Sequence, residues 1–261
     1  MVIKGITLHS GVTSTARLFR DEGRVRFRRG GVEIPASLDS VRGSERCTVL
    51  GRAGERVALV EHLLAALHIR GFWRDVVVEV SAEELPVLDG SAGPWLASIE
   101  QLGVPPSPPT GLHSNRTLAF TQGPSSFTLN PGPSSLCVAI EFKHPAIGRQ
   151  RWCGGPECYH ELLGARTFGF LHEVEDLHRR GLAIGGSLEN AIVFDERGPL
   201  RPLRCADEPV RHKALDVLGD FFLLGRPLVG GLVITRGSHQ SHVTFMRKLL
   251  TTLAPTEGSP S

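Results

Sequence analysis

The amino-acid sequence predicts an α+β protein built from two similar layers of sheet and helix, and three observations carry that expectation. Both halves of the chain mix short alternating or β-branched runs with helix-forming runs, each half carries one helix with a histidine on it, and a proline-rich stretch lies between them. With 261 residues and 41% hydrophobic content the chain can bury real cores in one large domain or two ordinary ones. No residue-level repeat accompanies the duplication, so it rests on the order of the elements.

In chain order, Ile6 to Leu38 reads as short strands with one wet face. Arg24-Val25-Arg26-Phe27-Arg28 alternates basic and apolar residues, and Gly30-Gly31 turns the chain before Val32-Glu33-Ile34. The run Arg56 to Leu67 is rich in helix formers and is followed by Gly71, a suitable C-cap. Asp75 to Val80 is a buried strand by its β-branched run, and the loop Leu85 to Ala92 leads into a helix near Pro94 to Leu102. Pro105, Pro106, Pro108 and Pro109 predict a stiff linker over 105–113 that divides a first domain, 1–104, from a second, 114–253. In the second, Arg116 to Phe120, Ser126 to Leu129, Cys137 to Phe142, Ala191 to Phe194 and Gly231 to Thr235 are strand candidates. Helices are expected from Glu157 to Leu163, over Phe170 to Arg180 with Gly181 closing it, over Arg211 to Asp220, and over Val243 to Leu253, with a loose tail at 254–261.

Charge and cysteine usage exclude several classes of function. The net charge is +2 from 29 basic and 27 acidic residues, and the one basic cluster, Arg24 to Arg29, is interleaved with apolar residues, so binding to nucleic acid by bulk electrostatics is not expected. Five widely spaced cysteines do not make a disulfide framework, and the expectation is reduced thiols in a cytoplasmic compartment. The N-terminus lacks the apolar core of a signal peptide, and the most apolar run, Phe221 to Ile234, is broken by Arg226, Pro227 and paired glycines, so stable membrane insertion is not expected. Cys153, Cys158 and His160 have the wrong spacing for a zinc knuckle; Gly185 and Gly186 sit in no phosphate-loop frame; and no G-x-S-x-G is present.

The chemistry concentrates in Arg211-His212-Lys213-Ala214-Leu215-Asp216-Val217-Leu218-Gly219-Asp220. On a helix His212 and Asp216 are four residues apart and project from one face, where they could grip one cation, while Asp220 stands beside them one turn on. Leu215, Leu218 and Phe222 take another face, which buries the helix and fixes its polar side. Read alone, such a stretch is more commonly a buried helix whose His and Asp bond to each other. Glu61-His62, adjacent on a helix and about 100° apart, allows one metal ligand with the other side chain left as a proton acceptor for an attacking water, or else a solvated helix face. Three protein ligands and an open fourth position suit a catalytic zinc, and His62, His212 and Asp216 supply such a set. Ferrous iron would also accept these donors. His239, straight after a predicted strand, would then be free to donate a proton with Asp220 holding its other ring nitrogen, although an exposed loop histidine fits the same position.

Taken together, several strings resemble the UDP-3-O-acyl-N-acetylglucosamine deacetylase family. They are Ile6-Thr7-Leu8-His9-Ser10-Gly11, Val60 to Leu67, Leu88-Asp89-Gly90-Ser91-Ala92, His144-Pro145-Ala146-Ile147, Ala165 to Phe170, Gly185 to Ala191 and Arg211 to Asp220, in family order from residue 5 to about 250. The resemblance implies two layered α/β-sandwich domains with the active site between them and an acyl-chain passage built from an insertion at about 171–210. It implies zinc on His62, His212 and Asp216, Glu61 as general base, His239 oriented by Asp220 as general acid, and Thr167 on the oxyanion. Lys213, Phe168 and Arg236 are implied to meet the substrate, an acylated UDP-sugar, and a monomer is expected. The chain departs from the family pattern at Ser238, where glycine is usual, at Ser241-His242, and at Glu173 and Glu189, where aspartate is usual. His242 is expected at the surface, and most of the usual first strand is expected to be missing. Two alternatives stay open: a related enzyme acting on a different sugar amide, and a silent nucleotide-sugar-binding protein.

Overall fold

Buried residues fall at every second position along the start of Thr13–Arg24 (Ser14, Ala16, Leu18), and this two-residue period turns one face of the strand to the core. In the computed structural model, which describes residues 1–253, that strand belongs to a five-stranded sheet. The spatial order is Val2–Ile6, Thr13–Arg24, Arg74–Val80, Arg26–Arg29, Val32–Pro35. All neighbours are antiparallel except Arg74–Val80 and Arg26–Arg29, which run parallel. A second sheet has the order Leu118–Gln122, Ser125–Asn130, Gly231–Thr235, Ser135–Glu141, Arg149–Gly154, and its one parallel pair occupies the same place. The duplicated layer expected from element order is thus present as a repeated sheet topology.

In each sheet the central strand comes last along the chain, so the polypeptide must leave after four strands and return through a crossover. The helices are α1 (Glu61–Ile69), α2 (Leu96–Glu100), α3 (Leu171–Arg179), α4 (Glu208–Phe221) and α5 (His239–Leu253). α1 and α4 precede the two central strands, and α2 and α5 follow them. α1 packs on α4 at Gly219, where a Cβ would lie 2.0 Å from the Glu61 carbonyl oxygen, so only glycine permits this approach. Phe27 and Val78 of one sheet, Phe127 and Val138 of the other, Leu64 of α1 and Leu215 of α4 share one continuous apolar core. The two halves differ in what is inserted before these helices. The first holds a small sheet of Val41–Gly43, Val49–Arg52 and Glu55–Ala58; the second holds Phe168–Phe170 paired with Ile192–Phe194, with α3 between them.

Several expectations are corrected. Arg56 to Ala58 is strand rather than helix, because it folds back on Val49–Arg52 through Ala53-Gly54, and Leu59, with φ 60°, breaks the path before α1 begins. The segment from Glu157 winds as a 3-10 helix, Pro156–Leu162. Val2–Ile6 supplies a five-residue first strand where most of one was expected to be missing. Cys137 and Cys153 are not reduced: they face each other on adjacent antiparallel strands, 4.1 Å apart at Cα, and form a disulfide, while Cys47, Cys158 and Cys205 are free. α5 begins at His239, four residues before the expected start. Residues 105–111 form no regular element, and the tail at 254–261 lies outside the described residues. Among the described residues no helix is long and apolar enough to cross a membrane.

Candidate active site

The three-residue spacing of Leu215 and Leu218 puts both into the core, and the four-residue spacing of His212 and Asp216 leaves these one turn apart on a face that meets the start of α1. There His62 joins them. The Asp216 Oδ1 atom lies 3.5 Å from His212 Nε2 and 3.9 Å from His62 Nε2, and the two imidazoles stand edge to face with centroids 5.1 Å apart. All three side chains are buried, yet Asp216 Oδ1 has no hydrogen-bond partner; its other oxygen accepts from Lys213 Nζ at 2.7 Å. An orphaned carboxylate oxygen facing two ring nitrogens fits a cation between them, since ligands about 2 Å from a tetrahedral ion sit about 3.3 Å apart. His212 donates its Nδ1–H to the Ala165 carbonyl at 3.1 Å, which leaves Nε2 with a free lone pair. Burial, and then the neighbouring His212, push His62 down to about 3, and burial lowers His212 as well, so both rings are neutral as ligation requires. His62, His212 and Asp216 are therefore able to hold a metal ion.

Glu61 and His239 stand at the edge of this trio. Glu61 Oε1 is 3.9 Å from His239 Nε2, and that same nitrogen is 3.9 Å from Asp216 Oδ2. His239 Nδ1 donates to Asp220 Oδ2 at 2.8 Å. Burial pushes Glu61 up to about 7, with His239 opposing. Burial alone would lower His239, but the Asp220 carboxylate beside it raises the ring to about 9. At neutral pH this is a carboxyl poised to take a proton opposite an imidazolium able to give one. His242, expected at the surface, is buried and donates Nδ1–H to the same Asp220 oxygen at 2.7 Å. The early start of α5 explains this: with residue 239 already helical, residue 242 follows three places on and faces the same way. Thr48, which sequence reasoning did not single out, touches both carboxylates: its N–H donates to Glu61 Oε2 at 3.0 Å and its hydroxyl to Asp220 Oδ1 at 2.6 Å. No motif marks it, because these contacts are tertiary.

The remaining candidates separate. Thr167, Phe168 and Lys213 line a cleft of about 300 Å³ around the trio. Arg236 does not line it; its Nε donates to the Pro124 carbonyl at 3.1 Å and one terminal nitrogen to Glu141 at 3.3 Å. Arg46, which sequence reasoning passed over, does line the cleft and pairs with Glu173 of α3 at 3.1 Å. An adjoining, mostly apolar cavity of about 420 Å³ runs along Val174 and Leu177 of α3 to Leu188, Val193 and Leu200, within the expected insertion. The Thr167 loop is fixed from both sides. Thr167 N donates to the Gly90 carbonyl at 2.8 Å, and the preceding Arg166 is held by Glu208, which is 0% exposed and also accepts from Arg204 N at 2.6 Å. Glu208→Ala strands Arg166 without its partner and is expected to cost about 3–5 kcal/mol of stability, read by urea unfolding.

Together these groups can activate a water beside a cation and pass a proton across the cleft, which is the equipment of a metal-dependent hydrolase. Comparison with known proteins narrows the class. A family model described as LpxC: UDP-3-O-acyl N-acetylglycosamine deacetylase matches residues 1–251. The chain is 41% identical over 251 residues to the UDP-3-O-acyl-N-acetylglucosamine deacetylase of Thermosynechococcus vestitus, covering 94% of this chain and 86% of that protein. It is 39% identical to the enzyme of that name from Myxococcus xanthus (95% and 83% covered) and 38% identical to that from Wolinella succinogenes (95% and 87% covered). The chain belongs to the UDP-3-O-acyl N-acetylglycosamine deacetylase family.

Proposed function

We propose that this chain removes the acetyl group from the 2-amino position of UDP-3-O-acyl-N-acetylglucosamine, releasing acetate for lipid A synthesis, and that it does so in the cytoplasm as a monomer. The observation that carries the reading is the buried, unpartnered Asp216 Oδ1 between His62 and His212, with Glu61 and His239 at its edge. Zinc suits this donor set, and when bound there it polarises the amide carbonyl and acidifies water at neutral pH. Glu61 accepts the proton of the attacking water. His239, kept protonated by Asp220, delivers a proton to the departing amine. Thr167 offers its hydroxyl to the oxygen that gains charge as the acetyl carbon becomes tetrahedral. Lys213 holds Asp216 in place through its 2.7 Å contact and adds positive charge beside the cleft.

The 3-O-acyl chain fits the apolar cavity beside α3, none of whose residues is buried by protein and whose Val174 and Leu177 line that cavity. Acetate release measured on acylated and unacylated UDP-N-acetylglucosamine tests the substrate: turnover confined to the acylated sugar is expected, and equal turnover on both would move the reading to a different sugar amide. Val174→Trp fills part of the cavity from an exposed helix. It is expected to raise KM about tenfold for a long-chain substrate, the equivalent of about two unburied methylenes at ~0.8 kcal/mol each, with metal content unchanged.

A further inference from the structure

Thr48 lies directly before the strand Val49–Arg52, in the first half of the molecule, and is fully buried. Its hydroxyl has one proton to give. Asp220 Oδ1 is 2.6 Å away and as a carboxylate can only accept; His239 Nδ1 is 3.4 Å away and already donates to Asp220 Oδ2 at 2.8 Å, so the proton goes to Asp220. Asp220 Oδ2 is shared by His239 and His242, whereas Thr48 is the one partner of Oδ1 among the described residues. Removing that hydroxyl leaves a buried carboxylate oxygen unpaired and the carboxylate free to turn about its last bond, taking the His239 ring with it. The Thr48 main-chain N–H meanwhile donates to Glu61 Oε2 at 3.0 Å. A β-branched side chain is stiff about χ1, so the distance between its amide and its hydroxyl is nearly fixed.

We propose that Thr48 is a positioning residue that sets the placement of Glu61 relative to His239, its amide holding the first directly and its hydroxyl the second through Asp220. Thr48 is neither among the residues lining the cleft nor in the His62, His212 and Asp216 group. The inference rests on the reading of Glu61 and His239 as proton acceptor and donor.

The test compares Thr48→Val, which keeps the shape and the amide but loses the hydroxyl, with Thr48→Ser, which restores the hydroxyl. Thr48→Val is expected to lower kcat for acetate release about 10–100-fold, the scale of one hydrogen bond to a charged group, with KM and metal content unchanged, and Thr48→Ser is expected to recover most of the loss. A readout that needs no turnover accompanies this: the His239 Nδ1–H resonance in proton–nitrogen spectra is expected to exchange slowly in the unaltered protein, where the buried proton bonds Asp220 at 2.8 Å, and at least about tenfold faster in Thr48→Val, since its acceptor is no longer held. Should valine not be accepted, Thr48→Ala carries the same comparison. Unchanged kcat in Thr48→Val, a loss that Thr48→Ser shares in full, a loss confined to KM or metal content, or an unchanged His239 signal would each overturn the proposal. If the unaltered protein releases no acetate, the functional reading fails by itself, and the His239 signal still decides the place of Thr48.

Discussion

Replacing Glu61 by glutamine is expected to lower kcat by about 10²–10⁴ while the protein still binds its metal, because the substitution removes only the group that accepts the proton of the attacking water. The carboxyl is buried, sits 3.9 Å from His239 Nε2 and is tethered by the Thr48 amide, so an amide of the same shape keeps the packing and loses the basicity. The pH profile gives the second part of the expectation. A base works only when deprotonated, so the unaltered enzyme gains rate as pH rises through the Glu61 pKa, which burial places at about 7 and which the charge of a nearby cation moves lower. In Glu61→Gln this acidic limb disappears. Metal content measured beside kcat checks the assignment, and a variant that loses metal together with rate would make Glu61 a ligand instead.

The second large effect is expected from the cation itself. Chelation should abolish acetate release and added zinc should restore it, and Asp216→Ala should do the same without rescue, since it removes a donor and leaves Lys213 without its 2.7 Å partner. The loss is expected to exceed about 10³-fold, because both the polarised carbonyl and the acidified water go together. Activity that survives exhaustive chelation would remove the metal from the reaction.

Much of this site could be read from the sequence because its key spacing is local. His212 and Asp216 lie four apart in a run whose apolar residues keep helical period, so one face of α4 was legible before any coordinates. Glu61 and His62 were legible as residues but not as a position, since the stretch before them, Arg56 to Ala58, has helix-forming composition and is pulled into strand by pairing with Val49–Arg52. The error over His242 has the same origin at the other end: starting α5 at Val243 leaves it in a loop, whereas starting it at His239 buries it beside Asp220. Thr48 and Glu208 act through partners 172 and 42 residues away, and no local pattern encodes such contacts. The disulfide was missed because pairing of Cys137 with Cys153 depends on the register of two strands, one of which, Arg149–Gly154, went unrecognised. The sheet duplication was legible only as an order of elements, since similar topologies tolerate dissimilar side chains wherever the two-residue period survives.

The described residues offer two groups of three side chains that could take an ion: His62, His212 and Asp216, and beside them Asp220, His239 and His242. Anomalous scattering from crystals of the zinc-loaded protein, recorded at the zinc edge, tells them apart. The account predicts a peak about 2.0–2.2 Å from the Nε2 atoms of His62 and His212 and from the Asp216 carboxylate. A peak between Asp220, His239 and His242 in its place would turn the proposed proton donor into a ligand and contradict the account.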